Sequence, residues 1–228
     1  MWAYIISGLI CGFWIPFVAG RFGKIIPADP GNLLLNLFHK PRFSKVYDPA
    51  RAFLRKRLWH KLYLWAVFWA LCHAALFALA YHVFPAPIQI YACVFIWIIN
   101  TCSVIDADYW LLPDFFTIPL LLLGIIFHTH IRIHDISFAL TGAVCGYLVS
   151  VLSVLVLAKA KSKELGGGDV KMITAIGGWL GMMGLNITLI LSFFLFILFS
   201  WIPVQKKGAY GPALGTAALI VFFILFSK

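Results

Sequence analysis

Charge is scarce in this 228-residue chain: only 11% of residues are Asp, Glu, Lys or Arg, against about 25% in a soluble domain. With 63% hydrophobic residues and a mean hydropathy of +0.97, a soluble globular fold is excluded and the chain reads as an integral membrane protein. Acids are scarcer still, eight against 18 basic residues. Cysteine is limited to Cys11, Cys72, Cys93, Cys102 and Cys145. No two of them form a CxxC pair and all fall in or at the ends of apolar runs, which argues against a thiolate zinc site and for small packing residues. Neither HExxH nor GxSxG occurs, so zinc- and serine-hydrolase chemistry has no local support. The glycines Gly166, Gly167 and Gly168 lack a following GKS or GKT and no strand precedes them, which removes a phosphate-binding loop.

What is abundant is apolar sequence. A helix needs about 20 mostly apolar residues to cross a hydrocarbon core of roughly 30 Å. Eight candidate spans meet or approach that length: Trp2 to Gly20, Leu62 to Phe84, Ile88 to Ile105, Phe115 to Ile131, Phe138 to Ala158, Val170 to Met183, Leu185 to Pro203 and Tyr210 to Ser227. The fold class is therefore all-α, a polytopic membrane protein of about eight transmembrane helices. The sixth span is the short one, since its 14 residues rise only about 21 Å. Composition divides the chain into a first helix with a basic loop, 1–61, and a seven-helix core, 62–228.

Basic residues set the orientation. Ten of the 18 lie between Arg21 and Lys61; alternating spans place them on the same side as Lys159, Lys161, Lys163, Lys171, Lys206 and Lys207, with only Arg132 and Lys228 opposite. That asymmetry puts the loops cytoplasmic and the N-terminus outside. No Lys or Arg precedes the first apolar run, so it reads as a retained helix rather than a secretory signal. The net charge of +10 is accounted for by topology and anionic lipid headgroups, with no nucleic-acid partner. The basic stretch Arg51 to Lys61 interleaves aromatics with charge and reads as a positive-inside anchor against the inner leaflet.

Five of the eight acids sit in two short stretches, IDADYWLLPD, Ile105 to Asp114, and KELGGGD, Lys163 to Asp169. Both face the cytoplasm on this topology. Ionisable groups at the bilayer are costly and usually pair, line a wet cavity or do chemistry. Two carboxylates brought together from different helices tend to share one proton, and such a pair can activate water while protonating a peptide carbonyl. Asp106 and Asp108 are two apart, so on a helix they point about 200° away from each other and only one can face an inner partner. Pro113 favours a helix start that puts Asp114 in a first turn, where its charge suits the helix dipole. Glu164 reads as a solvated loop charge among lysines. The glycines permit close approach of another backbone, and Gly177, Gly178, Gly181 and Gly184 continue the pattern along the sixth span as sites of tight packing. His130 and His134, in HTHIRIH, would share a helical face as a metal pair, but a short solvated outer turn is the simpler account.

Asp106 followed by Leu112, Pro113 and Asp114, and Gly166 to Asp169 followed by Lys171, resemble the DxxxxxxPD and GxGDxK motifs of the type IV prepilin peptidases. AYGPALG, Ala209 to Gly215, is similar to the family's FGPxLA segment, and GLICGFWIPFVAGRFGKIIP adds to the likeness. The resemblance implies a polytopic aspartic peptidase of the bacterial cytoplasmic membrane that removes the basic leader of pilin-like precursors ahead of their apolar helix. It implies Asp106 and Asp169 as the catalytic pair, with Pro113, Asp114, Gly166, Gly168 and Lys171 as motif positions. It implies no metal or cofactor for proteolysis. Many bifunctional members carry two CxxC pairs in the first loop and methylate the new N-terminus with S-adenosylmethionine; Arg21 to Lys61 has no cysteine, which leaves that second activity open. The rival class is a proton-coupled membrane transporter using the same carboxylates, for which two halves with matching broken helices would be expected; the GGGD and LPD segments have no internal repeat.

Overall fold

The computed structural model describes residues 1–22, 49–109, 112–132, 134–159, 167–201 and 209–227. Among them the regular structure is helical: α1 (Trp2–Phe22), α2 (Pro49–Val83), α3 (Ala86–Tyr109), α4 (Asp114–Ile131), α5 (Ile136–Lys159), α6 (Gly167–Ser200) and α7 (Gly211–Phe226). Six are long and apolar enough to cross a membrane by length and composition, and α7 is a shorter apolar helix. The all-α, multi-pass expectation holds. Two boundaries differ from it. The second apolar run continues a helix that begins at Pro49, so position 61, where composition divides the chain, falls inside α2.

The second difference concerns where the sixth and seventh expected spans divide, both of which lie within α6. That helix is not straight. Gly181 takes φ 67° and ψ −178° within it, three residues before the divide expected at Gly184. The neighbours of α6 show what this does. Ahead of the break, the Trp179 ring lies 6.0 Å from that of Phe222, well along α7. Just past it, Gly184 backs onto Val221 and Leu225. Eight residues further, Ser192 hydrogen-bonds to Tyr210, at the start of α7. A straight helix would carry Ser192 about 16 Å beyond Gly181, away from that end. The chain therefore folds back at Gly181, giving an outbound limb from Gly167 and a returning limb to Ser200. Glycine suits this backbone, because φ near +67° is a region that residues with a Cβ avoid, and a Cβ here would also run into the Phe138 ring.

Backbone groups freed by such a break need partners inside a membrane. The Trp179 carbonyl finds one in His128 of α4, whose Nε2 donates at 2.9 Å. The Trp179 indole Nε1 donates in turn to the Leu120 carbonyl at 2.6 Å. His128 is thus fully buried, and this overturns its place in a solvated outer turn. Nor do His130 and His134 share a helix, because α4 ends at Ile131 with Arg132 in the left-handed region at φ 55°. His134 stacks on Phe138 at 4.1 Å instead.

Between apolar helices in lipid, packing rather than water expulsion supplies the cohesion. Trp179, Phe95, Phe127 and Phe222 form the central cluster, with Phe95 4.8 Å and Phe127 5.2 Å from Trp179 and Phe222 4.7 Å from Phe95. Where backbones meet directly the residues are glycine: Gly142 of α5 lies against Gly177 of α6, and Gly8 of α1 against His73 and Ala74 of α2. The α2–α3 turn is sewn by Gln89, whose Nε2 donates to the Tyr81 and Phe84 carbonyls at 3.0 and 3.1 Å.

Candidate active site

One end of the bundle gathers the end of α3 and the starts of α4, α6 and α7. Asp106 lies in the last turn of α3, 6% exposed, and its Oδ2 accepts the Gly211 N–H at 2.7 Å. The close approach needs glycine at 211, since a Cβ there would sit 2.7 Å from Oδ2 and 2.8 Å from the Asp106 Cβ. Pro212 opens α7 at a position where a missing N–H costs nothing. One turn back along α3, Ser103 donates to the Ile99 carbonyl at 2.9 Å and reaches the Gly211 carbonyl at 3.3 Å. The AYGPALG segment is thereby seated on the inner face of α3. Asp108 takes the other face, exposed beside a cleft lined by Pro16, Trp65, Trp69, Val104 and Tyr109, as a two-residue helical offset requires.

The other acidic stretch is joined to the same end by two contacts. Pro113 is extended, at φ −74° and ψ 136°, and caps α4, with Asp114 in the first turn. Lys171, one turn into α6, donates to Asp114 Oδ1 at 2.5 Å. Gly168 backs onto Leu112, whose Cβ would be 2.7 Å from a Cβ at 168. The residues of LPD and of GDxK are therefore fitted to one another across α4 and α6.

Asp169 is half-buried in the first turn of α6. The Tyr210 hydroxyl hydrogen-bonds to Ser192 on the returning limb. Tyr210 and Gly211, adjacent in sequence, make separate ties: the amide of Gly211 bonds Asp106 and the hydroxyl of Tyr210 bonds Ser192. Gly166 and Glu164 lie outside the described residues. Among the described residues no group of three or more His, Cys, Asp or Glu is placed to hold a metal ion.

Asp106, Pro113, Asp114, Gly168, Asp169 and Lys171, expected from sequence at the site, lie at this end of the bundle, with partners that sequence reasoning did not name. The Asp114–Lys171 pair was detectable as opposite charges at two helix starts. The Gly211–Asp106 bond had no signal beyond the glycine before Pro212.

Residues 93–201 match the model of the type IV leader peptidase family. Three relatives are each named prepilin leader peptidase/N-methyltransferase. The one from Neisseria gonorrhoeae is 37% identical over 123 residues, 52% of this chain and 43% of the relative. That from Pseudomonas aeruginosa is 37% identical over 133 residues, 54% of this chain and 46% of the relative. That from Escherichia coli K12 is 34% identical over 155 residues, covering 65% of this chain and 69% of the relative. The chain belongs to the type IV leader peptidase family. The family match contains both acidic stretches and the reversal at Gly181. The alignments cover less than half the length of the Neisseria and Pseudomonas relatives. No solved structure matches the chain.

Proposed function

We propose that this chain is a membrane aspartic endopeptidase that removes the leader peptide of type IV pilin-like precursors at the cytoplasmic face of the bacterial inner membrane. The observation that supports it best is the meeting of the two acidic stretches at one end of the bundle, with Asp106 held by Gly211, Gly168 against Leu112 and Lys171 on Asp114. Asp106 and Asp169 are the catalytic residues. Their surroundings suit acid–base work on a peptide bond: apolar helices limit water, and two carboxyls contributed by different helices share a proton more readily than both ionise.

The ionised carboxyl takes a proton from water as its oxygen adds to the scissile carbonyl carbon. The protonated carboxyl gives its proton to the carbonyl oxygen. Collapse of the tetrahedral diol breaks the C–N bond, and the amine leaves with the proton taken from water. Pro113, Asp114, Gly168 and Lys171 position the two acids by fixing α4 against α6. The basic residues between Arg21 and Lys61 and those near Lys171 support an arrangement in which this end faces the cytoplasm and the N-terminus lies outside.

The test is incubation of the purified chain with a prepilin-like precursor and S-adenosylmethionine, with mass spectrometry of the product N-terminus. Cleavage is expected, and Asp106→Asn and Asp169→Asn should each lower its rate by about 10²–10⁴-fold or more. Asp108→Asn should be far milder. Full processing by either of the first two variants sinks the assignment. Methylation of the new terminus, read from the same spectrum as added mass, is a separate outcome.

A further inference from the structure

Resting on that reading, we infer that Ser103 and Gly215 form a matched pair that sets how deeply α7 sits on α3, and that Ser103 is thereby a positioning residue for Asp106. The face of α3 that meets α7 carries Ile99, Ser103 and Asp106, spaced so that all three share one side of the helix. The facing residues of α7, Gly211 and Gly215, are one turn apart. The two sets run in opposite directions: Gly211 backs onto Asp106, and Gly215 onto Ser103 and Ile99. Further along, Phe95 stacks on Phe222 at 4.7 Å, so the same register continues into the bundle.

Gly211 is tied to α3 through both of its backbone polar groups. Its N–H donates to Asp106 Oδ2 at 2.7 Å, and its carbonyl accepts from the Ser103 hydroxyl at 3.3 Å. The serine has one proton to give. It is shared with the Ile99 carbonyl at 2.9 Å, a bifurcated arrangement that holds Oγ between the two helices. That oxygen stands where a side chain at 215 would have to go: a Cβ there would run into Ser103 Oγ and lie 3.1 Å from Ile99 Cγ2. Ser103, Asp106, Gly211 and Gly215 are all buried, so contact between the helices sets the spacing. Residues 211 and 215 lie about 6 Å apart along one rigid helix. Lifting α7 at 215 therefore draws the Gly211 N–H off the carboxyl. An amide bonded to one carboxyl oxygen also fixes the rotation of the group, and its loss frees Asp106 to turn. Misplacement of a reacting group by about 1 Å costs about 10²-fold in rate.

Tyr210 and Gly211 are the one Tyr-Gly pair in the sequence. Labelling the purified chain with ¹³C-carbonyl tyrosine and ¹⁵N glycine therefore isolates a single amide signal, that of Gly211, and reads its hydrogen bond without substrate. Hydrogen bonding moves an amide proton downfield, and Asp106→Asn marks how much of that displacement belongs to the carboxyl. Gly215→Ala should shift the signal upfield and lower kcat for precursor cleavage by about 10–10²-fold, with KM within about twofold of the parent. Adding Ser103→Ala removes the oxygen in the way. The double variant should recover the signal, and its kcat should lie within about threefold of that of Ser103→Ala alone. A pair that only stabilised the fold would move the unfolding midpoint and leave kcat in place. Ser103→Cys, which sets a larger sulfur against Gly215, should shift the signal in the same direction and serves where Gly215→Ala does not fold. A signal that Gly215→Ala and Ser103→Cys leave unmoved, or a double variant as impaired as Gly215→Ala, overturns the inference. If the signal follows the pair while the parent cleaves no precursor, the seat stands and the proposed function falls; cleavage by the parent with a signal indifferent to the pair does the reverse.

Discussion

Gly181→Ala attacks the fold-back at its pivot, and its cost follows from two separate features. At φ 67° and ψ −178° the backbone is in a region that residues with a side chain occupy only at about 1–3 kcal/mol. The added methyl would also strike the Phe138 ring. That ring is held by stacking on His134 at 4.1 Å, so moving it adds an overpacking cost of about 1–3 kcal/mol. The expected loss is therefore about 2–6 kcal/mol, read from reversible denaturation in mixed micelles. The double variant with Phe138→Ala separates the contributions: the collision disappears and the backbone strain stays. A coupling of about 1–3 kcal/mol should appear in the cycle. If Gly181→Ala unfolds within about 0.5 kcal/mol of the parent, the chain does not reverse at this residue and the placement of Ser192 beside Tyr210 fails with it.

Three further outcomes are expected. Gly211→Ala pushes its methyl into Asp106, and a displacement of about 1 Å at a reacting group should cut precursor cleavage by about 10²-fold while the helical circular dichroism is kept. Asp114 and Lys171 are 55% and 49% exposed, so Asp114→Asn should cost only about 0.2–1 kcal/mol in the same unfolding assay, with a smaller effect at high salt. His128→Phe leaves the Trp179 carbonyl without its donor in an apolar interior and should cost about 1–3 kcal/mol, more than Trp179→Phe, which removes one hydrogen bond but keeps the aromatic cluster, at about 1 kcal/mol.

The helices were legible because lipid demands long apolar runs, and α1, α3, α4 and α5 fall within a few residues of their expected bounds. The opposed faces of Asp106 and Asp108 followed from helical periodicity alone, as did the start of α4 at Pro113. What escaped was set by contacts between distant segments. The reversal at Gly181 competed with Gly177, Gly178 and Gly184, which look alike in sequence and differ only in what packs against them. His128 read as polar and outer because nothing local shows that Trp179, 51 residues later, would offer a carbonyl to it. The start of α2 at Pro49 was hidden because a charged stretch need not interrupt a helix, only an apolar run. Ser192 has no local mark either. Its contact with Tyr210 exists only because the chain has turned round.

The fold-back at Gly181 also bears on how the protein enters a bilayer. The outbound limb, Gly167 to Gly181, rises about 21 Å, short of the roughly 30 Å hydrocarbon core, and it ends in a backbone break whose carbonyl is satisfied by a residue of another helix. Inserted by itself, that limb would leave polar backbone exposed to lipid before α4 could cover it. The two limbs are thus expected to partition together as a helical hairpin, with Met182 and Met183, 52% and 76% exposed, leading as an apolar tip.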